Sequence, residues 1–501
     1  MSRPLTALAA ALCIALTPSV VLTEAAVAGS GQYNLPSLGT VAGADLTVLD
    51  ERALGQELMR RVRADASYMN DHETTDYLNR LGLRLVAAGE STPFNFFFFP
   101  IRDRSLNAFT LPGGFIAVHS GLIVATHSES ELAGVIGHEI GHVTQRHIAR
   151  RLQEGTNSWA ATIGSILLAV LAARAGGSSG GDAAMGIVMG TQAAMLQKQL
   201  GYSRDAEREA DRTGFETLSA AGFDPRGMEE FFERMQKNNR WQETIATTYV
   251  STHPLTSERI VDMQNRTRTM PAVQHRDSLD YHLIQARMRV LQQTRYDGWQ
   301  QAAKHFEEAL KQNLIADQKA AAHYGLSVAY ARMNKKAEAL AQAQKACQTV
   351  GTANLYLDKN LAECTYAAAG NATQKKRALE TARQMTERWP YSSLAVSEYA
   401  ELLYQEKQHE TLISMMRRQN ALTKDDPDYY ALLARSYEAL GQKTMAYSHT
   451  GDMYALMGNH KAAVYQFELA QKAADGDFYV MSEVDAKLRR ERRIVLDHTK
   501  D

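Results

Sequence analysis

The residues His138-Glu139-Ile140-Gly141-His142 lie inside ELAGVIGHEIGHVTQRH, at positions 131–147, where Leu132, Val135 and Ile136 recur at helical spacing. Positions four apart on a helix share one face, so two imidazoles can grip a single ion while Glu139 projects beside it. The spacing therefore describes a catalytic metal site rather than a merely structural one. Zinc fits best, because it works with three protein ligands plus a water and needs no redox chemistry. Glu139 would be the general base, taking a proton from the attacking water and later passing one to the leaving amine. Two histidines on a helix can equally be packing residues. The apolar flank favours the metal, since it is what a buried helix presenting polar groups into a cleft requires.

A further ligand has to come from elsewhere in the chain, and SRDAEREADRTG at 203–214 is the best source. Glu207 and Asp211 are four apart on a predicted helix, so one can bind metal while the other orients a ligating imidazole. Glu209 points to a different face. Taken alone, this segment would read as a solvated charged helix.

HEIGH followed by EREAD, with LNAFTLPGG upstream at 106–114, resembles the gluzincin peptidases that include the CAAX prenyl protease and HtpX. In that family HExxH and ExxxD supply two histidines and one glutamate, which implies His138, His142 and Glu207 as metal ligands, with Asp211 in a supporting catalytic role. The resemblance is strongest to members that join this peptidase domain to a C-terminal tetratricopeptide array, and it extends through THPLTSER at 252–259. It implies a periplasmic zinc endopeptidase with a chaperone-like role. Its partners would be unfolded or misassembled outer-membrane proteins, including the lipopolysaccharide-transport barrel, and the β-barrel assembly machinery, met through the repeats. It also implies that residues 105–118 form an edge strand holding substrate backbone by strand addition. By the same resemblance the loop histidine His253 either occupies the open metal position and silences the enzyme or helps stabilise the oxyanion. Arg259, six residues on, would place that loop or meet developing negative charge.

The elements that must position these groups can be read from periodicity. Helical patterning from Leu54 through Val86 gives way to β-formers at Phe94–Phe99 and Phe115–Val118, with Pro112-Gly113-Gly114 as a turn. From Ser128 the pattern is helical almost to the end. The apolar runs around IGSILLAVLAA and from Ala183 to Leu196, joined by AGGSSGG, predict a helical hairpin over 159–196, too short to span a membrane but suited to peripheral contact. From about Asp280, small and aromatic residues recur at tetratricopeptide spacing: Leu326, Tyr330, Ala339 and Ala346; Leu433, Ala434, Tyr437, Gly441 and Ala446; then Tyr454, Gly458, Ala463, Phe467 and Ala470. The last two sets overlap by half a repeat. Such hairpins stack into a solenoid with a concave groove suited to a protein partner. The predicted fold is mainly α, of α+β type: a zincin-like metallopeptidase domain with a small β-sheet at 45–270, then an α-solenoid at 280–490. A cut near 280 is expected to separate a folded peptidase from the array.

Length and charge agree with this division. At 501 residues the chain exceeds one core, and Lys+Arg 55 against Asp+Glu 56 gives no electrostatic case for nucleic acid. Met1-Ser2-Arg3, the apolar run from Leu5 to Leu22 and Ala26-Val27-Ala28 before Gly29 read as a secretory signal peptide, residues 1–28. Cys347 and Cys364 stay in the mature chain, and the sequence leaves open whether they pair. Two rival readings stand beside the protease: a repeat-bearing chaperone or adaptor whose metal site is repressed or silent, and an integral membrane protease.

Overall fold

The computed structural model describes residues 46–154, 203–240, 253–268, 270, 273, 275–419 and 426–497. The expected signal peptide at 1–28 and the expected helical hairpin over 159–196 lie outside the described residues. No helix among the described residues is long and apolar enough to cross a membrane.

Helices α1 (Val48–Ala64) and α2 (His72–Ala88) open the fold. Thr47 and Asp50 cap α1 reciprocally, and Asp71 caps α2 by accepting from the Thr74 amide. Strands β1 (Phe97–Ile101), β2 (Ala108–Leu111) and β3 (Phe115–His119) form a sheet in the order β1-β3-β2. β3 runs parallel to β1, with Phe97 opposite Phe115, and antiparallel to β2, with Ala108 opposite Val118. The β2–β3 turn uses Gly113 and Gly114 at φ 75° and 89°, and a Cβ on Gly113 would lie 2.6 Å from Arg52 Cα.

This topology corrects the expected edge strand at 105–118. Within that span only β2 lies at an edge, β1 forming the other edge of the sheet. β3 is paired on both sides and buried along its whole length, because Phe115, Ile116, Ala117 and Val118 offer both faces of the strand to apolar neighbours.

Helices α3 (Ser120–Ala125), α4 (Glu129–Thr144) and α5 (His147–Glu154) follow, then α6 (Arg204–Ala220), α7 (Arg226–Arg240) and α8 (Ser257–Arg268). Ser128 caps α4 by accepting from the Glu131 amide, and Ser203 caps α6 by accepting from Ala206. α4 is the central helix, buried from Glu129 through Val143. α6 lies directly against it because glycines face the crossing: a Cβ on Gly141 would sit 2.9 Å from Ala210 Cα, and one on Gly214 would sit 2.8 Å from the His138 nitrogen. Side chains at those positions would push the helices apart and take Glu207 and Asp211 out of reach of the histidines.

The rest is a run of helices: α9 (Leu279–Leu291), α10 (Tyr296–Ala309), α11 (Ala316–Arg332), α12 (Lys336–Val350), α13 (Leu355–Ala367), α14 (Ala372–Arg388), α15 (Ser393–Gln405), α16 (His409–Arg418), α17 (Pro427–Ala439), α18 (Lys443–Leu456), α19 (His460–Ala473) and α20 (Phe478–Asp497). Leu326, Ala339, Ala346, Leu433, Ala446, Ala463, Phe467 and Ala470 are buried between neighbouring helices, as the repeat pattern predicts. The overlap of the last two repeat matches has a simple cause: α18 packs on α17 before it and on α19 after it.

One apolar core runs from Met69, before α2, to Leu394 in the repeats. Tyr281 donates to the Thr126 carbonyl at 2.9 Å and Gln285 to the same carbonyl at 2.7 Å, so α9 is bonded to the end of α3. A cut near 280 would therefore remove helices that share this core. Asn70 donates to Asp428 at 2.7 Å, placing the α1–α2 connection against α17.

Candidate metal centre

The crossing of α4 and α6 brings together His138, His142 and Glu207, and His253 reaches them from the segment before α8. All four are buried, and each offers a ligand atom within 4.8 Å of the others. His138 Nε2 is 3.0 Å from His142 Nε2 and 3.3 Å from His253 Nδ1. Glu207 Oε1 lies 3.1 Å from His253 Nδ1 and 3.6 Å from His142 Nε2, and Glu207 Oε2 is 3.5 Å from His138 Nε2. Metal–ligand bonds of about 2.0–2.2 Å in a tetrahedron separate its corners by about 3.3–3.6 Å. The donor spacing is thus that of a small tetrahedral cation's coordination shell.

Hydrogen bonding alone accounts poorly for the same spacing, since three imidazole nitrogens converge on each other with one carboxylate to share. Burial, reinforced by the neighbouring His138 and His253, drives the His142 pKa well below the ordinary histidine value, which is the neutral form a ligand needs. Burial would raise the Glu207 carboxyl, but His253 and Arg259 override it and hold it ionised below the usual range.

Glu139 projects beside this shell. Its Oε2 accepts from Thr110 Oγ1 at 2.8 Å, while its buried Oε1 has no hydrogen-bond partner among the described residues and lies 3.4 Å from His253 Nε2. The strand that carries Thr110 is β2, so the sheet edge and the carboxylate are held in one register. Thr110 was not singled out by sequence reasoning, although it sits within the LNAFTLPGG segment.

Each of the two imidazoles of α4 has a partner behind it. His138 Nδ1 faces Asp211 Oδ1 at 2.9 Å. Arg259 grips Asp211 with two hydrogen bonds, of 2.6 and 2.7 Å, and donates to the Pro254 carbonyl at 3.0 Å. Burial opposes ionisation of Asp211, but Arg259 and His138 bring its pKa down to about 2. Arg259 Nη1 is also 2.6 Å from Glu207 Oε2, so one guanidinium ties together Asp211, Glu207 and the segment that presents His253. His142 Nδ1 instead meets His147 Nδ1 at 2.9 Å, and His147 Nε2 meets Glu209 Oε2 at 3.0 Å. Glu209 does point to another face of α6, as its position in the sequence predicts. Its link to the centre through His147 was not foreseen, because it depends on how the chain turns after α4.

A model of Peptidase family M48 matches residues 72–267. A relative from Vibrio cholerae is 42% identical over 267 residues, covering 52% of this chain and 53% of its own length. The beta-barrel assembly-enhancing protease of Escherichia coli K12 is 30% identical over 464 residues, 92% of this chain and 91% of that protein. The mitochondrial metalloendopeptidase OMA1 of Schizosaccharomyces pombe is 30% identical over 245 residues, 47% of this chain and 68% of its own.

Proposed function

Because this chain belongs to peptidase family M48, with a relative that matches it over nearly its full length, we propose that it is a zinc endopeptidase whose metal is held by His138, His142 and Glu207 and whose general base is Glu139. The observation that carries this reading is the tetrahedral spacing of the four buried donor atoms with a carboxylate alongside. Zinc bound there would polarise a peptide carbonyl and acidify a water. The chain's own residues do the rest. Thr110 fixes one oxygen of Glu139, leaving the other to take a proton and return it to the leaving amine. Asp211 orients His138, and Arg259 holds Asp211 and the His253 segment in place. The outer edge of β2 would offer backbone groups to an extended substrate, a mode of recognition that needs little sequence specificity.

The clients would be outer-membrane β-barrel proteins that are misfolded or stalled, including the lipopolysaccharide-transport barrel, met in the periplasm after removal of a signal peptide. The repeats would meet the assembly machinery. The name of the Escherichia coli relative supports a role with β-barrel proteins, and the signal-like N-terminus supports the compartment.

One observation favours a repressed form of the same enzyme: His253 Nδ1 stands where the fourth ligand belongs, and its Nε2 faces Glu139. A protease closed in this way would serve as a chaperone or adaptor until the segment withdraws. Casein digestion by purified variants tests both ideas. Glu139→Gln should retain zinc and lose at least about a hundredfold in rate; cleavage at the wild-type rate would refute the mechanism. His253→Ala should cleave faster than wild type while still requiring Glu139. A slower His253→Ala enzyme with unchanged zinc would refute the plug and favour the oxyanion role.

A further inference from the structure

The two histidines of α4 are held by different devices, and the second uses residues that no part of the HExxH and ExxxD pattern includes. α4 ends at Thr144, and Arg146 turns the chain in a left-handed conformation at φ 55°. Arg146 is fixed there by its bonds to Glu51, at 2.8 Å, and to the Leu46 carbonyl. The turn starts α5 at His147 and folds its imidazole, almost fully buried, under His142.

The proton positions along this contact follow from connectivity. His142 Nε2 faces His138 and Glu207, so as a ligand it is deprotonated there and carries its hydrogen on Nδ1. The atom opposite, 2.9 Å away, is another imidazole Nδ1, which must then be an acceptor. His147 therefore bears its hydrogen on Nε2, and that atom faces Glu209 Oε2 at 3.0 Å. Glu209 receives Arg150 as well, at 2.8 Å, and is about half exposed, so its carboxylate is available at the surface to set the tautomer of a buried ring.

We propose that His147 and Glu209 are positioning residues for the metal: Glu209 fixes the tautomer of His147, and His147 accepts the Nδ1 hydrogen of His142 and so aims His142 Nε2 at the ion. The inference rests on His142 being a ligand. It makes the surface carboxylate of α6 part of the metal centre, two residues from the glutamate that binds directly. A partner behind a ligating imidazole typically changes metal affinity by about 10–100-fold.

The test is the Zn2+ dissociation constant of the full-length chain, measured by competition with a chromophoric chelator, alongside the thermal midpoint of each metal-free protein. His147→Leu keeps an apolar side chain in the buried position but removes the acceptor, and should weaken Zn2+ binding by about 10–100-fold. His147→Gln has a carboxamide that can accept from His142 and donate toward Glu209, and should recover most of that loss. The metal-free midpoints should run the other way, with Leu at or above Gln, because burying an amide costs more than burying an alkyl group. A merely structural His147 would give the same order in both measurements. Equal Zn2+ affinity in wild type and His147→Leu, or no advantage of Gln over Leu, would overturn the proposal. Should the His147 variants fail to fold, Glu209→Ala on the half-exposed surface should weaken Zn2+ several-fold and Glu209→Gln should not; wild-type affinity in Glu209→Ala overturns it equally. Failure of the wild-type chain to bind one Zn2+ would instead bring down the reading of the centre itself.

Discussion

Where α2 meets the repeats, Asp71 and Glu73 face Arg287 and Lys359; where α4 meets α6, Glu207 and Asp211 face Arg259 and three histidines. Both clusters are buried, and both gather carboxylates from distant parts of the chain. At the junction the neutralising cations belong to the protein. Arg287 grips Asp71 through bonds of 2.6–3.0 Å and reaches Glu73 at 3.0 Å, while Lys359 lies 3.2 Å from Glu73 and 3.4 Å from Glu398. At the metal centre the one guanidinium is spent on Asp211 and Glu207, and the imidazole nitrogens converge on one another at 3.0–3.3 Å. The first arrangement meets its carboxylates with cations of the chain itself. The second has the geometry of a shell around a cation taken from solution. Buried carboxylates alone do not mark a metal site; what distinguishes it is a set of neutral donors aimed at one point.

The largest effect that would break this contrast is expected at the junction. Arg287→Met leaves Asp71 and part of Glu73 buried without a cation, and removal of one partner from such a pair costs about 3–5 kcal/mol. Denaturant unfolding of Arg287→Met should show that loss, and added zinc should not restore it. A loss below about 1 kcal/mol would put the junction in the class of weak surface pairs.

A smaller effect should come from Glu398, whose buried carboxyl sits beside Lys359. Burial pushes its pKa up, and Lys359 opposes the rise only in part. A raised folded value means that its contribution to stability is complete below the ordinary glutamate range and is lost as pH climbs through the raised value. Glu398→Gln fixes the neutral form. The thermal midpoint of this variant should therefore gain on wild type between about pH 5 and pH 9. A gap between the two that stays constant over this range would mean that Glu398 is ionised throughout.

The two clusters also differ in how far the sequence announces them. His138, Glu139 and His142, and Glu207 with Asp211, lie at helical spacing, so their shared faces follow from local geometry. His253 and Arg259 were readable only through resemblance, because nothing local says that a segment before α8 crosses to α4. Thr110 and His147 escaped as site residues: one depends on the pairing of β2, the other on a left-handed residue after α4. The Asp71–Arg287 pair spans 216 positions and has no local trace at all. The edge strand failed for a related reason, since apolar content marks strands but does not say which of them lies in the middle of the sheet. The repeats were legible as helices, yet their fusion with the peptidase core was not, because the shared surface is apolar on both sides and reads as ordinary core in each.

His138, His142 and Glu207 are proposed to hold zinc, with His253 as a removable fourth ligand. X-ray absorption at the zinc edge, compared between wild type and His253→Ala, tests this proposal most directly. Wild type should show three imidazole nitrogens and one carboxylate oxygen around the metal, and His253→Ala one imidazole fewer with the zinc retained. Identical spectra from the two proteins, or only two imidazoles in the wild type, would contradict it.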